Sequence, residues 1–168
     1  MMDARQYLEQ VRDLHSTIVT MQSRLREQEH ALDMLRSPNV DGMPRGTSDG
    51  KALERAIAEQ DELADRYTGE LLRWTALRTQ AYAMMDRARA VLMDGGAHAI
   101  TLSHIDVLEQ HYLCDRLPYT ATRFGARTVS TELRIPERTV ERYAAEALEW
   151  LDYSRGLDGM PLVPIVSE

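Results

Sequence analysis

The chain has 168 residues, of which 43% are hydrophobic and only 6% aromatic, and its formal net charge is −7. Few aromatic residues together with many Leu, Ala, Glu and Arg favour helices over a sheet sandwich. One cysteine excludes an internal disulfide framework, and neither a membrane helix nor the apolar core of a signal peptide is recognisable. We therefore expect an all-α protein of the cytoplasm.

Two long helices are predicted in the first part of the chain. Apolar residues recur at steps of three and four over residues 3–36 and again over about 49–93, which gives each helix one narrow apolar seam. Between them, residues 37–50 contain two prolines and three glycines and are predicted to form a loop. Two such helices joined by a loop predict a long antiparallel coiled-coil hairpin over residues 1–96.

A short helix, a tight turn and a longer helix are predicted in the last third of the chain. This order is that of a helix-turn-helix, preceded here by another helix over about 102–112. Its inward positions are apolar and helically spaced, namely Val129, Leu133, Ile135, Val140, Ala144, Ala147 and Leu151. We assign residues 97–155 to a C-terminal helix-turn-helix domain and residues 156–168 to a flexible tail.

The outer face of the second helix of this motif carries side chains that can read base edges. The first turns of that helix meet the major groove in helix-turn-helix proteins, where arginine binds guanine O6 and N7 and glutamate accepts from cytosine N4. The predicted base-contacting residues are Arg138, Thr139, Glu141 and Arg142. The predicted phosphate-contacting residues, which flank the motif, are Arg123, Arg127 and Arg134.

The acidic net charge does not exclude a nucleic-acid partner, because charge is unevenly distributed. Residues 116–142 contain six arginines and three glutamates, a local charge of +3. Alternating Glu and Arg four residues apart is also what a solvated helix face looks like. The pattern alone therefore leaves DNA binding and simple packing both open.

The C-terminal sequence resembles a known class of DNA-binding domain. The run L-x-x-x-D-V-L-E-Q-H-Y over 102–112 and the run T-V-S-T-E-L-R-I-P-E-R-T-V-E-R-Y-A-A-E-A-L-E-W-L over 128–151 resemble the promoter-reading C-terminal domain of sigma factors. They are also similar to the LuxR-type helix-turn-helix. Arg134 stands where sigma-type domains usually have glycine, and Pro136 stands where they usually have a hydroxyl cap.

A narrower resemblance covers about residues 4–152. The run A-R-Q-Y-L-E-Q-V-R-D-L over 4–14 and the loop T-S-D-G-K over 47–51, together with the C-terminal motif, are similar to small prophage proteins described as sigma-like or as RinA- and ArpU-type transcriptional regulators. The resemblance implies double-stranded DNA binding and control of phage genes. We expect the hairpin to contact RNA polymerase, another phage protein or a second copy of the chain.

Two other functions are compatible with a coiled coil joined to a helix-turn-helix. A phage DNA-packaging protein like a small terminase subunit also joins a helix-turn-helix to a coiled coil, usually in the opposite order, and a pure interaction protein is the other alternative. His104, His111 and Cys114 lack a fourth ligand and match no zinc module. With no catalytic carboxylate pair and no phosphate-binding glycine loop in the sequence, we expect no enzyme activity, metal, cofactor or membrane partner.

Overall fold

A computed structural model of the chain describes residues 3–36 and 50–153, and every regular element in these ranges is a helix. The elements are α1 (Ala4–Arg36), α2 (Gly50–Leu92), α3 (Leu102–Leu108), a π-helical segment (Glu109–Leu113), α4 (Val129–Leu133) and α5 (Glu137–Tyr153). The predicted all-α class is confirmed for these residues. No helix among them is long and apolar enough to cross a bilayer. The predicted loop, apart from Gly50, and the predicted tail lie outside the described residues.

The packing divides the chain into two compact units. The middle unit comprises residues 14–74, and the C-terminal unit comprises the described parts of 1–13 and 75–168. The start of α1 and the end of α2 thus belong with α3, α4 and α5. The predicted boundary at residue 96 does not follow this division, since heptad spacing gives no sign of where a long helix changes its packing partners.

The middle unit buries the apolar seams of α1 and α2 only in part. Ile18 and Leu32 are buried, and the rings of His15 and Trp74 have centroids 5.2 Å apart. The other described seam residues of this unit are half-buried, namely Leu14, Met21, Leu25, Leu53, Ile57, Leu63, Tyr67, Leu71 and Trp74. Every described seam residue here is therefore at least partly covered, as a heptad-type pattern predicts.

The C-terminal unit has a well-buried core built around α3 and α5, which pack against each other. Apolar residues of α5 recur at steps of three and four, so one face of the helix is buried. The buried residues of α5 are Val140, Ala144, Ala147, Leu148 and Leu151, and those of α3 are His104, Ile105, Val107 and Leu108. The two long helices add Ala4, Tyr7, Leu8, Val11, Leu77, Ala81, Met84, Met85 and Ala88.

Two hydrogen bonds attach the start of α1 within this unit. The Tyr7 hydroxyl donates to the Leu77 carbonyl oxygen at 2.7 Å, and burial raises the pKa of Tyr7 to about 12. The Ala4 N–H donates to Asp152 Oδ1 at 2.6 Å. That bond satisfies one of the amides that have no partner inside a helix, and it places a carboxylate at the positive end of α1.

His111 fixes the chain where it leaves the π-helical segment. Its Nδ1 lies 2.7 Å from the Leu117 carbonyl oxygen, and Arg12 Nη1 lies 3.1 Å from its Nε2. A carbonyl only accepts and a guanidinium only donates, so the ring is neutral with its proton on Nδ1. Burial, reinforced by the charge of Arg12, lowers the pKa of His111. The ring of Tyr119 stacks on it with centroids 3.8 Å apart.

Acidification should destabilise the protein through His111. Its pKa is lower in the folded chain than in the unfolded chain, so the stability present above the ordinary pKa of about 6.5 is lost as pH falls through the folded value. Thermal melts at about pH 7.5 and 5.5 should show a smaller loss of Tm for His111→Gln than for wild type. His30→Gln, at an exposed position, should respond like wild type. Equal pH responses of wild type and His111→Gln would contradict this assignment.

The packing of α3 predicts a large cost for truncating its core residues. Leu108 is fully buried, so Leu108→Ala should lower the free energy of unfolding by about 2–5 kcal/mol, through lost burial and the cavity left behind. The same substitution at Leu72, which is 67% exposed in α2, should change it by less than about 0.5 kcal/mol. Urea denaturation followed by circular dichroism gives both values, and similar costs at the two positions would show that α3 is not part of the core.

Candidate nucleic-acid interface

α4 is a single short helix whose start is fixed by two threonines. Thr128 Oγ1 accepts from the Thr131 N–H at 3.1 Å, and the Thr131 hydroxyl donates to the Thr128 carbonyl oxygen at 3.0 Å. Thr128 and the adjacent Val129 are buried. The Val129 N–H donates to the Pro118 carbonyl oxygen at 2.9 Å. These bonds compensate for the small number of hydrogen bonds that so short a helix makes internally.

The turn between α4 and α5 depends on an unusual backbone conformation at Arg134. Its φ of 55° and ψ of 39° lie in the left-handed region, and its N–H donates to the Ser130 carbonyl oxygen. Ser130 Oγ donates to the Ile135 carbonyl oxygen at 2.7 Å. Arg134 therefore adopts the conformation that glycine favours after a helix.

Pro136, which has no hydroxyl to act as a cap, immediately precedes Glu137, the first residue of α5. Its carbonyl oxygen accepts from the Thr139 N–H at 2.8 Å and from the Val140 N–H at 3.1 Å. Proline lacks an N–H, but at a helix start that group would have no helical partner in any case. The carbonyl oxygen of the proline thus supplies an acceptor that its side chain cannot.

The outer face of α5 presents three of the four predicted base-contacting residues to solvent. Arg138, Glu141 and Arg142 are exposed, and Thr139 is half-buried. Arg142 Nε lies 3.7 Å from Glu146 Oε1. Its guanidinium carbon lies 5.7 Å from the ring centroid of the neighbouring tyrosine. Such exposed contacts add little stability, but they restrict where the guanidinium points.

Two hydrogen bonds and an ion pair connect the core with Arg142. The Thr101 N–H donates to His104 Nδ1 at 3.1 Å, so the proton of the neutral imidazole is on Nε2, which lies 2.9 Å from Glu146 Oε2. The rings of His104 and Tyr143 stack with centroids 3.8 Å apart. Because His104 is buried, it holds Glu146 in place, and the other carboxylate oxygen of Glu146 faces Arg142.

No sequence pattern predicts this chain of contacts. His104 and Glu146 are 42 residues apart, and a helical pattern does not report which residues of two helices meet. Only the spacing of Thr101 and His104, which is that of a capping box, gave a local signal.

The residues considered as metal ligands have other contacts. Cys114 Sγ lies 3.7 Å from the Tyr82 hydroxyl oxygen and 3.7 Å from Glu109 Oε1. Burial raises the pKa of the Cys114 thiol. In the part of the chain that the structure describes, no group of three or more His, Cys, Asp or Glu side chains is placed to hold a metal ion.

The predicted phosphate-contacting arginines fall into two groups. Arg127 Nη2 lies 3.0 Å from Asp115 Oδ2 and 3.0 Å from Glu132 Oε2, and pairing, with Glu132 foremost, raises the pKa of Arg127. Arg123 and Arg134 are exposed, and their side chains have no ion-pair or hydrogen-bond partner among the described residues. A phosphate would have to compete with two carboxylates for Arg127 but with none for the other two.

Comparison with known protein families, curated proteins and solved structures finds no match for this chain. The resemblance of residues 128–151 to sigma-type domains therefore stays a prediction. The function has to be argued from the geometry of α4, the turn and α5.

The left-handed turn predicts an unusual response to glycine. Arg134→Gly should raise the free energy of unfolding by up to about 1 kcal/mol, because glycine takes the left-handed conformation without steric cost. Ala145→Gly, at an exposed position in the middle of α5, should lower it by about 1 kcal/mol. Thermal and urea unfolding of the two variants measures both changes. Destabilisation by Arg134→Gly would show that the arginine side chain, and not the backbone, determines the turn.

Proposed function

We propose that this chain binds double-stranded DNA in a sequence-specific manner through α4, the turn and α5, and that it regulates transcription at phage or prophage promoters. The observation that carries the proposal is the pair of exposed arginines, Arg138 and Arg142, at the start of α5. They lie one turn apart on a helix whose opposite face is buried. A tight left-handed turn sets this helix against α4.

The arrangement fits recognition in the major groove. The first turns of α5 would face base edges, with Arg138 and Arg142 donating to guanine O6 and N7 and Glu141 accepting from cytosine N4. Glu146 restricts the Arg142 guanidinium before DNA arrives. A side chain already held in place loses less conformational entropy on binding, so this contact should favour affinity and specificity.

Phosphate contacts are fewer than in a strongly basic protein. Arg123 and Arg134 are the proposed phosphate-contacting residues, and Arg127 is assigned to bracing the loop before α4 through Asp115 and Glu132. Glu137 and Glu141 stand among the arginines of α5 and oppose non-specific attraction to the backbone. With about two phosphates neutralised per bound chain, log K should fall with log salt at a slope of roughly −2.

For the N-terminal helices we propose an antiparallel coiled-coil hairpin that contacts RNA polymerase or another phage protein. The supporting observation is the seam of the middle unit, most of which is only half-buried in the single chain. The DNA-binding helices would then place this partner at a promoter or block access to it. The proposed mechanism contains no catalytic step.

Arg138→Ala and Arg142→Ala should each weaken binding to the preferred DNA by about 1–3 kcal/mol, because each removes a bidentate base contact. The preferred site is obtained first by in vitro selection with the full chain, and affinities are then measured by fluorescence anisotropy. Arg73→Ala removes an exposed arginine from α2 and should leave the affinity unchanged.

Two results would overturn the proposed function. The first is the absence of any duplex binding at low salt by a chain shown to be folded. The second is equal losses for Arg73→Ala and the two α5 variants, which would mean that any surface charge serves and that α5 does not read bases.

A further inference from the structure

The loop between the π-helical segment and α4 displays one aromatic side chain to solvent. Phe124, the sole phenylalanine of the chain, is fully exposed. It occupies the second position of a four-residue turn closed by the Ala126 N–H, which donates to the Arg123 carbonyl oxygen at 3.2 Å. Gly125 in the third position has a φ of +76°, as a type II turn requires.

The base of this loop is held at both ends. The Val129 N–H bonds to the Pro118 carbonyl oxygen, Tyr119 stacks on His111, and Arg127 bonds to Asp115 and Glu132. A braced loop presents its apex in a fixed position, which lowers the entropy cost of docking that apex on a partner. Phe124 is therefore a pre-organised apolar anchor with an exposed arginine, Arg123, beside it.

A groove that could accept the Phe124 side chain lies beside the last turns of α5. This groove of about 440 Å³ is lined by Ala99, Ile100, Glu146, Glu149, Trp150 and Tyr153. Trp150 is half-buried and packs edge-on against His98 with centroids 6.3 Å apart, while Tyr153 is 82% exposed. Aromatic walls of this kind pair favourably with an aromatic ring and with a guanidinium.

The charge of this groove selects the kind of partner. Glu146 is committed to His104 and Arg142, whereas Glu149 is exposed. The negative end of the α5 dipole adds to this charge. An acidic groove repels a phosphate backbone and attracts arginine, so its occupant is a protein segment that carries an aromatic residue next to an arginine.

We propose that the apex Arg123–Phe124 of one copy docks in the Trp150–Tyr153 groove of a second copy. Phe124 would stack between the aromatic walls, and Arg123 would pair with Glu149. Phe124 is fully exposed within its own chain, so the docking is between molecules. Since apex and groove are different surfaces, the contact is head-to-tail, and a chain with one apex and one groove can join two neighbours.

The test uses the full chain in sedimentation velocity experiments, without DNA, because Arg123 is also a proposed phosphate contact. Its outcome is then independent of the proposed function. Wild type should associate as its concentration rises into the high micromolar range, as expected for a small interface. Phe124→Ser and Glu149→Arg should each weaken this association by about tenfold or more. Leu72→Ser and Glu62→Arg, matched exposed positions in α2, should not.

Mixing the variants tests the head-to-tail geometry. Phe124→Ser keeps an intact groove, and Glu149→Arg keeps an intact apex, so an equimolar mixture should form a one-to-one complex that does not grow further. In a Trp74→Phe background, in which Trp150 is the remaining tryptophan, its emission should shift to shorter wavelength in that complex.

Three outcomes would overturn this proposal. Wild type could remain monomeric throughout the concentration range. Both variants could associate as wild type does, which would place self-association elsewhere on the chain. Phe124→Ser could weaken duplex DNA binding and leave sedimentation unchanged, which would assign the phenylalanine to the DNA surface.

Discussion

The packing of α5 against α3 is the contact on which the rest of the C-terminal unit depends. One face of α5 is buried, and its packing on α3, together with α4, decides which side chains of that helix face outward. His104 lies in this contact, stacked on Tyr143 and bonded to Glu146. A buried histidine with both ring nitrogens bonded carries no unsatisfied polar group, so the contact combines apolar burial with a fixed orientation. Through Glu146 that orientation extends to Arg142 on the surface.

The turn before α5 keeps a left-handed backbone conformation at Arg134, although glycine is the residue that favours this conformation. Arg134 occupies the left-handed region, which costs a non-glycine residue about 1–2 kcal/mol. The bonds of Ser130 to the turn and the burial of Val129 and Val140 on either side offset that cost. The arginine side chain stays exposed and keeps its charge available, which a glycine would not provide.

The first and the last turns of α5 carry different side chains. The proposed DNA contacts lie on the first turns, and the proposed contact with a second copy lies on the last turns. The first turns hold Arg138 and Arg142 and suit the acceptor groups of DNA bases. The last turns hold Glu149, Trp150 and Tyr153 and suit a cationic, aromatic protein segment. Arg142 and Glu149 are seven residues apart, which corresponds to about 10 Å along the helix at about 1.5 Å per residue. Under the two proposals, one helix would contact DNA and a second chain through different residues.

The sequence by itself determined the helices and the inward faces of the C-terminal motif. Heptad-type spacing predicted α1 and α2, and the apolar positions Val129, Val140 and Ala144 predicted α4, the turn and α5, because burial of one face imposes a period on the chain. It also indicated which arginines of α5 face solvent, because the residues between the periodic apolar positions lie on the outer face of the helix.

Only the tertiary structure decided how charged side chains are paired and how the chain is divided into units. The fold brings Asp115 and Glu132 to Arg127, a predicted phosphate contact. His104 meets Glu146, which lies near the middle of α5 and 42 residues further along the chain. The ends of α1 and α2 join the C-terminal helices, although their heptads look uniform. Such partners are set by where whole helices pack, and local periodicity carries no record of contacts between residues distant in the chain.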